Sequence, residues 1–254
     1  MIIAYGEWGQ CDPSVVEAAK NGANVIIWFS IDLALSPDGT PEIARGVDYE
    51  CVGEVVLELK QMGLDVAHLI SIGGWNSPHI PPGFPAQTWW DTWKAWNLNI
   101  VSKPHLHFDG FDGLDWDLEG NDNLTSPYNE FTVETLQMMG ELSQLAKQDG
   151  YIVSMAPAQS YLDPATPSFD RSLRHAPAWQ PDFPYHGQNT YAPLLAKYGT
   201  TLLPGGPVDT FDIVSVQFYE GWSRGNHAIS GQGVPVSEYL LAFVEAVREG
   251  WVVR

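Results

Sequence analysis

The sequence predicts an α/β fold, a (β/α)8 barrel lacking its last one to two β/α units, built as one domain over residues 1–254. Three observations predict it. Strand-like and helix-like segments alternate six times, with connections suited to right-handed βαβ crossovers. No glycine fingerprint follows the first strand, which disfavours a dinucleotide-binding fold. The residues with chemistry to offer, Tyr5, Trp75, Glu119, Met155, Tyr219 and Trp222, all fall at or just past C-terminal strand ends. In a barrel that face carries the active site.

Ile2–Tyr5 reads as a short buried strand. Asp12-Pro13 then opens a helix, Asp12 as N-cap and Pro13 in the first turn, and Asn21-Gly22 ends it at Lys20. Ala23–Ile31 is a continuous apolar run, the pattern of a parallel strand covered on both faces. The segment from Ser36 to Gly46 reads as a loop, and a helix follows over Tyr49–Met62, stopped by Gly63. Val66–Ile72 is the third strand, running into Gly73-Gly74-Trp75. After a proline-rich loop comes a helix over Thr88–Ser102, with Trp89, Trp93 and Trp96 on one face, spaced for packing on a sheet. Phe111–Glu119 is the fourth strand, Asn129–Gln148 a long amphipathic helix and Tyr151–Pro157 the fifth strand. Residues 160–210 form a long excursion with a helix near Thr190–Lys197; loops of that length are commonly functional. Ile213–Tyr219 is the sixth strand and Val236–Glu249 its helix. Trp251–Val253 reads as the start of another strand.

Charge narrows the partners. The formal charge is −19, with only 12 Lys and Arg, which argues against nucleic acid and anionic membranes and leaves a neutral ligand such as a sugar. No apolar run is long enough to span a bilayer. Eleven Trp offer aromatic surface for sugar rings, although most suit the core. Cys11 and Cys51 are too few for a disulfide scaffold and their spacing is no metal motif, so one bridge or none is open. His105 and His107 precede the fourth strand, on the face opposite the site, and read as solvated. No metal and no cofactor is expected, and a monomer is. The chain opens on a strand without a leader-like segment; an extracellular setting is the expectation.

The fourth strand concentrates the chemistry. In Phe111–Gly120 the carboxylates Asp115, Asp117 and Glu119 alternate with Leu114, Trp116 and Leu118, the period of a strand with one acidic face. Side chains two apart lie about 6.7 Å from each other. At an effective dielectric near 20, two ionised carboxylates at that distance repel by about 2.5 kcal/mol. The row therefore holds at least one proton near neutral pH. A protonated acid beside an ionised one suits glycoside hydrolysis.

The stretch Asp112–Glu119, DGLDWDLE, resembles the DxxDxDxE signature of glycoside hydrolase family 18, the chitinases and related endo-β-N-acetylglucosaminidases. Ser71-Ile72-Gly73-Gly74 resembles that family's SxGG on strand three, Met155-Ala156-Pro157 its segment on strand five, and Gln217-Phe218-Tyr219 the strand-six segment of its hevamine-like, plant class III branch. Tyr5 and Gly9-Gln10 are similar to that branch as well. The resemblance implies an endo-acting hydrolase of β-1,4-linked N-acetylglucosamine, with substrate-assisted catalysis through an oxazolinium ion. It makes Glu119 the general acid and Asp117 the residue that orients the substrate acetamido group. Asp115 would share a proton with Asp117, and Tyr219 would donate to the acetamido carbonyl. Asp112, Gly73 and Gly74 would be structural, and Tyr5, Trp75, Met155, Gln217 and Trp222 would contact sugar. An N-acetylglucosamine polysaccharide or glycan is the implied partner.

Two departures stand beside the resemblance. Glu220 occupies a position where the hevamine-like branch usually has Asn. The sequence also ends where a seventh strand is due, so the eighth strand, which carries a subsite Trp in the family, is missing. A fragment of a longer chain is the expected explanation and a wall supplied by another copy the other, and the activity of these 254 residues alone is thereby in question. The alternatives to a chitin hydrolase are an endo-β-N-acetylglucosaminidase of N-glycan cores and a non-catalytic carbohydrate-binding barrel.

Overall fold

The computed structural model describes residues 1–123, 125–173, 188–219 and 223–254. Among them six strands run parallel in the spatial order β1 (Ile3–Tyr5), β2 (Val25–Leu35), β4 (Ala67–Gly74), β5 (Gly113–Leu118), β6 (Ile152–Met155) and β9 (Ile213–Val214). Consecutive strands of the parallel series are neighbours, the arrangement short crossovers favour. The sheet curls into a half-barrel: Ile3 of β1 and Ile213 of β9, at its two edges, pack into one inner cluster with Val25, Ile27 and Leu69.

The pleat separates two cores. On β5, Leu114, Trp116 and Leu118 point outward into the main core, with Ile70 and Ile72 of β4 and Trp28 of β2. Helices cover that face: α1 (Val15–Lys20), α2 (Tyr49–Gln61), α3 (Ala86–Trp96) and α4 (Val133–Gln148). Their starts follow local chemistry. Asp48 caps α2 by accepting from the Glu50 and Cys51 amides, and Thr132 caps α4 by accepting from Thr135. Trp89, Trp90, Trp93 and Trp96 of α3 are buried, and α3 continues into a π-helical turn over Asn97–Val101. Cys11 and Cys51 form a disulfide that ties the loop before α1 to α2.

Several expectations are corrected. The segment after β2 is not a plain loop, because Pro41–Arg45 forms β3, antiparallel to β2, with its proline on the free edge of the sheet. The long excursion contains α5 (Ala192–Tyr198) and then a hairpin of β7 (Thr200–Leu203) and β8 (Gly206–Asp209). The sixth strand is shorter than read: only Ser154↔Ile213 and Met155↔Val214 pair regularly, and beyond them a single bridge joins Ala158 to Gln217. Trp251–Val253 forms no strand; the Trp251 indole donates to Asn189 Oδ1 at 3.1 Å, and Arg254 exchanges backbone hydrogen bonds with Pro167 and Phe169. After a short helical turn, α6 (Arg224–Asn226), the last helix is α7 (Val236–Glu249).

Candidate active site

The inner face of β5 and its two flanking strands build the site in layers. Register places Ser71 of β4, Asp115 of β5 and Ser154 of β6 side by side. One layer further toward the C-terminal end, Gly73 sits beside Asp117. The glycine is needed there: with φ of +110°, a Cβ would come within 2.8 Å of the Asp117 carbonyl oxygen. Gly74, at φ +107°, is hemmed in by Trp8 and Phe29 in the same way.

Asp115 is completely buried, and burial pushes its carboxyl up to about 6. Its Oδ2 accepts from the Ser71 hydroxyl at 3.2 Å and from the Tyr5 hydroxyl at 3.3 Å. The Ser154 hydroxyl also lies beside it and helps hold the carboxyl down, although neither Ser154 Oγ nor Asp115 Oδ1 reaches hydrogen-bond geometry with a described group. The Tyr5 ring is partly exposed at the sheet edge, but its hydroxyl turns inward toward Asp115 and Ser215. Burial, then the Asp115 charge, hold that phenol far above its ordinary range, so it stays protonated and donates to Asp115.

At the mouth of the strand Asp117 and Glu119 are hydrogen-bonded to each other, and burial pushes Glu119 up to about 7. Two carboxyls in contact share one proton. This corrects the pairing inferred from the resemblance: the structure joins Asp117 to Glu119, while Asp115 is held by Ser71 and Tyr5. The strand ends at Leu118, so Glu119 is not held at the side-chain spacing of the pleat.

Gln217 locks this pair. Its amide nitrogen donates to Asp117 Oδ1 at 2.8 Å and to the Ala156 carbonyl at 2.7 Å, with Glu119 Oε1 at 3.5 Å, and its amide oxygen accepts from the Tyr219 hydroxyl at 2.8 Å. The Tyr219 side chain is 77% exposed at the rim. Gln217, read from sequence as a sugar contact, is thus a buried organiser of the acids.

The remaining sequence-predicted residues divide. Asp112 lies at the opposite end of β5, where its Oδ2 accepts from the His68 amide at 2.8 Å. Met155 is corrected: it pairs with Trp116, so it points to the helical face and is fully buried there, away from the carboxylates. Trp75 is half-buried over Gly120, and its indole donates to Asp122 Oδ1 at 2.8 Å. Trp222, with Glu220, lies outside the described residues.

Two supporting residues escape a reading of the sequence. The Tyr191 hydroxyl donates to the Leu118 carbonyl at 2.8 Å. Burial and the negative potential of the acid row keep that phenol protonated. His79, buried against Phe131, places Nε2 2.8 Å from the Glu119 carbonyl oxygen. Between them they fix the peptides on both sides of Glu119. Neither carries a periodic sequence signal, because both sit in loops that reach the site only through the fold.

Known proteins are similar to this chain in structure rather than in sequence. No protein-family model matches the chain, and no curated protein matches it by sequence. Among solved structures it is similar to a GH18 chitinase from Pseudoalteromonas aurantia, at 17% identity and a TM-score of 0.48, over 90% of this chain and 72% of that one. It is similar also to a GH18 chitinase from Cycas revoluta in complex with (GlcNAc)3, at 15% identity and a TM-score of 0.41, over 86% and 55% of the two chains. With the Ostrinia furnacalis group IV chitinase the figures are 18% identity and a TM-score of 0.40, over 62% of this chain and 44% of that one. The chain thus spans less than half the length of the last of these.

Proposed function

We propose that this chain carries the acid machinery of a family 18 glycoside hydrolase that cleaves β-1,4-linked N-acetylglucosamine, chitin being the polymer in view. The observation that carries the reading is the buried Asp117–Glu119 pair at the strand mouth, spanned by the Gln217 amide. It stands on residues that match the family motif one by one.

In the proposed reaction the substrate's acetamido carbonyl oxygen attacks C1 as the glycosidic C–O bond breaks. Glu119 passes its proton to the departing oxygen. Asp117 accepts from the acetamido N–H and offsets the positive charge of the oxazolinium ion that forms. Tyr219 turns its hydroxyl from the Gln217 amide oxygen to the acetamido oxygen and so aligns it for attack. Water then attacks C1 from the opposite face, the oxazolinium C1–O bond breaks to restore the acetamide, the water's proton goes to Glu119, and the two inversions leave the anomeric configuration unchanged. Most retaining glycosidases use a protein carboxylate as nucleophile; family 18 is an exception in which the substrate supplies it, and that assignment follows here from the resemblance. Asp115 stays in place, tied to Ser71 and Tyr5, as the charge beneath the pair.

The test is turnover of N-acetylglucosamine oligosaccharides and of fully deacetylated ones, with Glu119→Gln as control. The expected outcome is cleavage of the acetylated series only, with the control at least about 100-fold slower, the scale of lost general-acid catalysis. Equal cleavage of both series, or an active Glu119→Gln, contradicts the proposal. A high-mannose glycopeptide in the same assay separates a chitin hydrolase from an enzyme of N-glycan cores.

A further inference from the structure

A cavity of about 960 Å3 lies between the proline-rich loop after β4 and the first turns of α4. One wall is flat and stiff: Pro81, Pro82, Phe84 and Pro85, continued by Tyr128. The other wall is a polar rail. Glu134, Gln137 and Glu141 recur along one face of α4 over about 10.5 Å, with Glu130 at its head. Lysine and arginine are absent from the described residues that line it. Glu130 is held by Arg171 at 3.2 Å and Glu141 accepts from Gln137 at 2.6 Å, which leaves Glu134 as the rail's most available charge. At its inner end the groove reaches His79, whose Nε2 contacts the Glu119 carbonyl.

The chemistry selects a long ligand with cationic groups on one side and flat apolar ring faces on the other. A carboxylate rail accepts from ammonium groups with charge-assisted hydrogen bonds. Stiff proline and aromatic surfaces give up little side-chain entropy on covering a ring. We propose that this groove is a second saccharide site that binds glucosamine oligomers, deacetylated and therefore cationic, beside the proposed cleavage site. Choosing an amino sugar over a basic peptide rests on the glycosidase reading. The groove itself does not.

Isothermal titration of the chain with the glucosamine tetramer tests this, with the N-acetylglucosamine tetramer on the Glu119→Gln chain as comparison. Saturable binding of the glucosamine tetramer is expected, weakened about ten-fold by Glu134→Gln and again by Tyr128→Ala, and weakened by added salt. Binding of the acetylated tetramer should be indifferent to Glu134→Gln. Because Tyr128 packs near His79, the near-isosteric Glu134→Gln is the decisive variant. No binding, or binding that Glu134→Gln leaves unchanged, overturns the proposal. Equal affinity for tetralysine overturns the saccharide assignment and marks the groove as a peptide site. Loss of groove binding with acetyl-specific hydrolysis intact removes the groove alone. Groove binding without hydrolysis removes only the catalytic reading.

Discussion

The two flanks of the acid strand are built to different standards. On the β2–β4 side, β5 pairs in register from Leu69↔Gly113 to Gly74↔Leu118, and the helices behind it bury four tryptophans. On the β6–β9 side the pairing fades to two regular positions, and α7 buries none of its residues. Val236, Leu241 and Val244 of α7 are each more than half exposed. The site therefore rests on one rigid wall, and its thinner wall contributes reach: Gln217 and Tyr219 come from that side to organise the acids. The packed flank supplies stability and holds Asp115 through Ser71 and Tyr5, while the thinner flank supplies the residues that hold the acids at the strand mouth.

This contrast can be broken first by truncation. Trp89→Ala, in the packed wall, should cost about 3–5 kcal/mol, whereas Leu241→Ala on α7 should stay within about 0.5 kcal/mol. Urea denaturation of the two variants measures both, and comparable losses would erase the distinction between flanks.

A smaller effect probes the inner face. Asp115 has a folded-state carboxyl near 6, above its unfolded value, so it binds its proton more tightly when folded. The stability that this proton contributes is fully present below the unfolded value and is lost as pH rises through about 6. From the size of the shift the loss is on the order of 3 kcal/mol. Thermal midpoints should accordingly fall between about pH 4 and pH 6, and Asp115→Asn should flatten that part of the dependence, leaving the fall that Glu119 adds as pH rises through about 7. A midpoint that rises over the same interval would show that the folded chain holds the Asp115 proton no more tightly than the unfolded chain does.

What the sequence disclosed follows the same divide. Strands β2, β4 and β5 announce themselves because their apolar runs and the alternation in DGLDWDLE are local signals. The hairpin β7–β8 has one too, the Pro204-Gly205-Gly206 turn between Leu203 and Pro207, which is easily lost inside a long loop. Other features are hidden. The antiparallel β3 is marked by a proline that counts against a strand unless its edge position is known. The facing of Met155 depends on pairing register, which composition does not fix, and a shift of one residue would have turned it inward. Charge repulsion along β5 does require the row to hold a proton, yet the sharing partner differs from the expected one. Ideal strand spacing does not describe Glu119 once the chain has left the sheet. Gln217, His79 and Tyr191 act across separations of 40 to 100 residues, and only the fold brings them to the acids.

The catalytic reading stands or falls on the proton held between Asp117 and Glu119. Carboxyl titration by NMR of the chain labelled with 13C-glutamate, with Glu119→Gln to assign the signal, measures it without substrate. The predicted result is an inflection for Glu119 near 7, well apart from the exposed glutamates. Titration of Glu119 together with those glutamates, in the ordinary carboxylate range near 4, would contradict it.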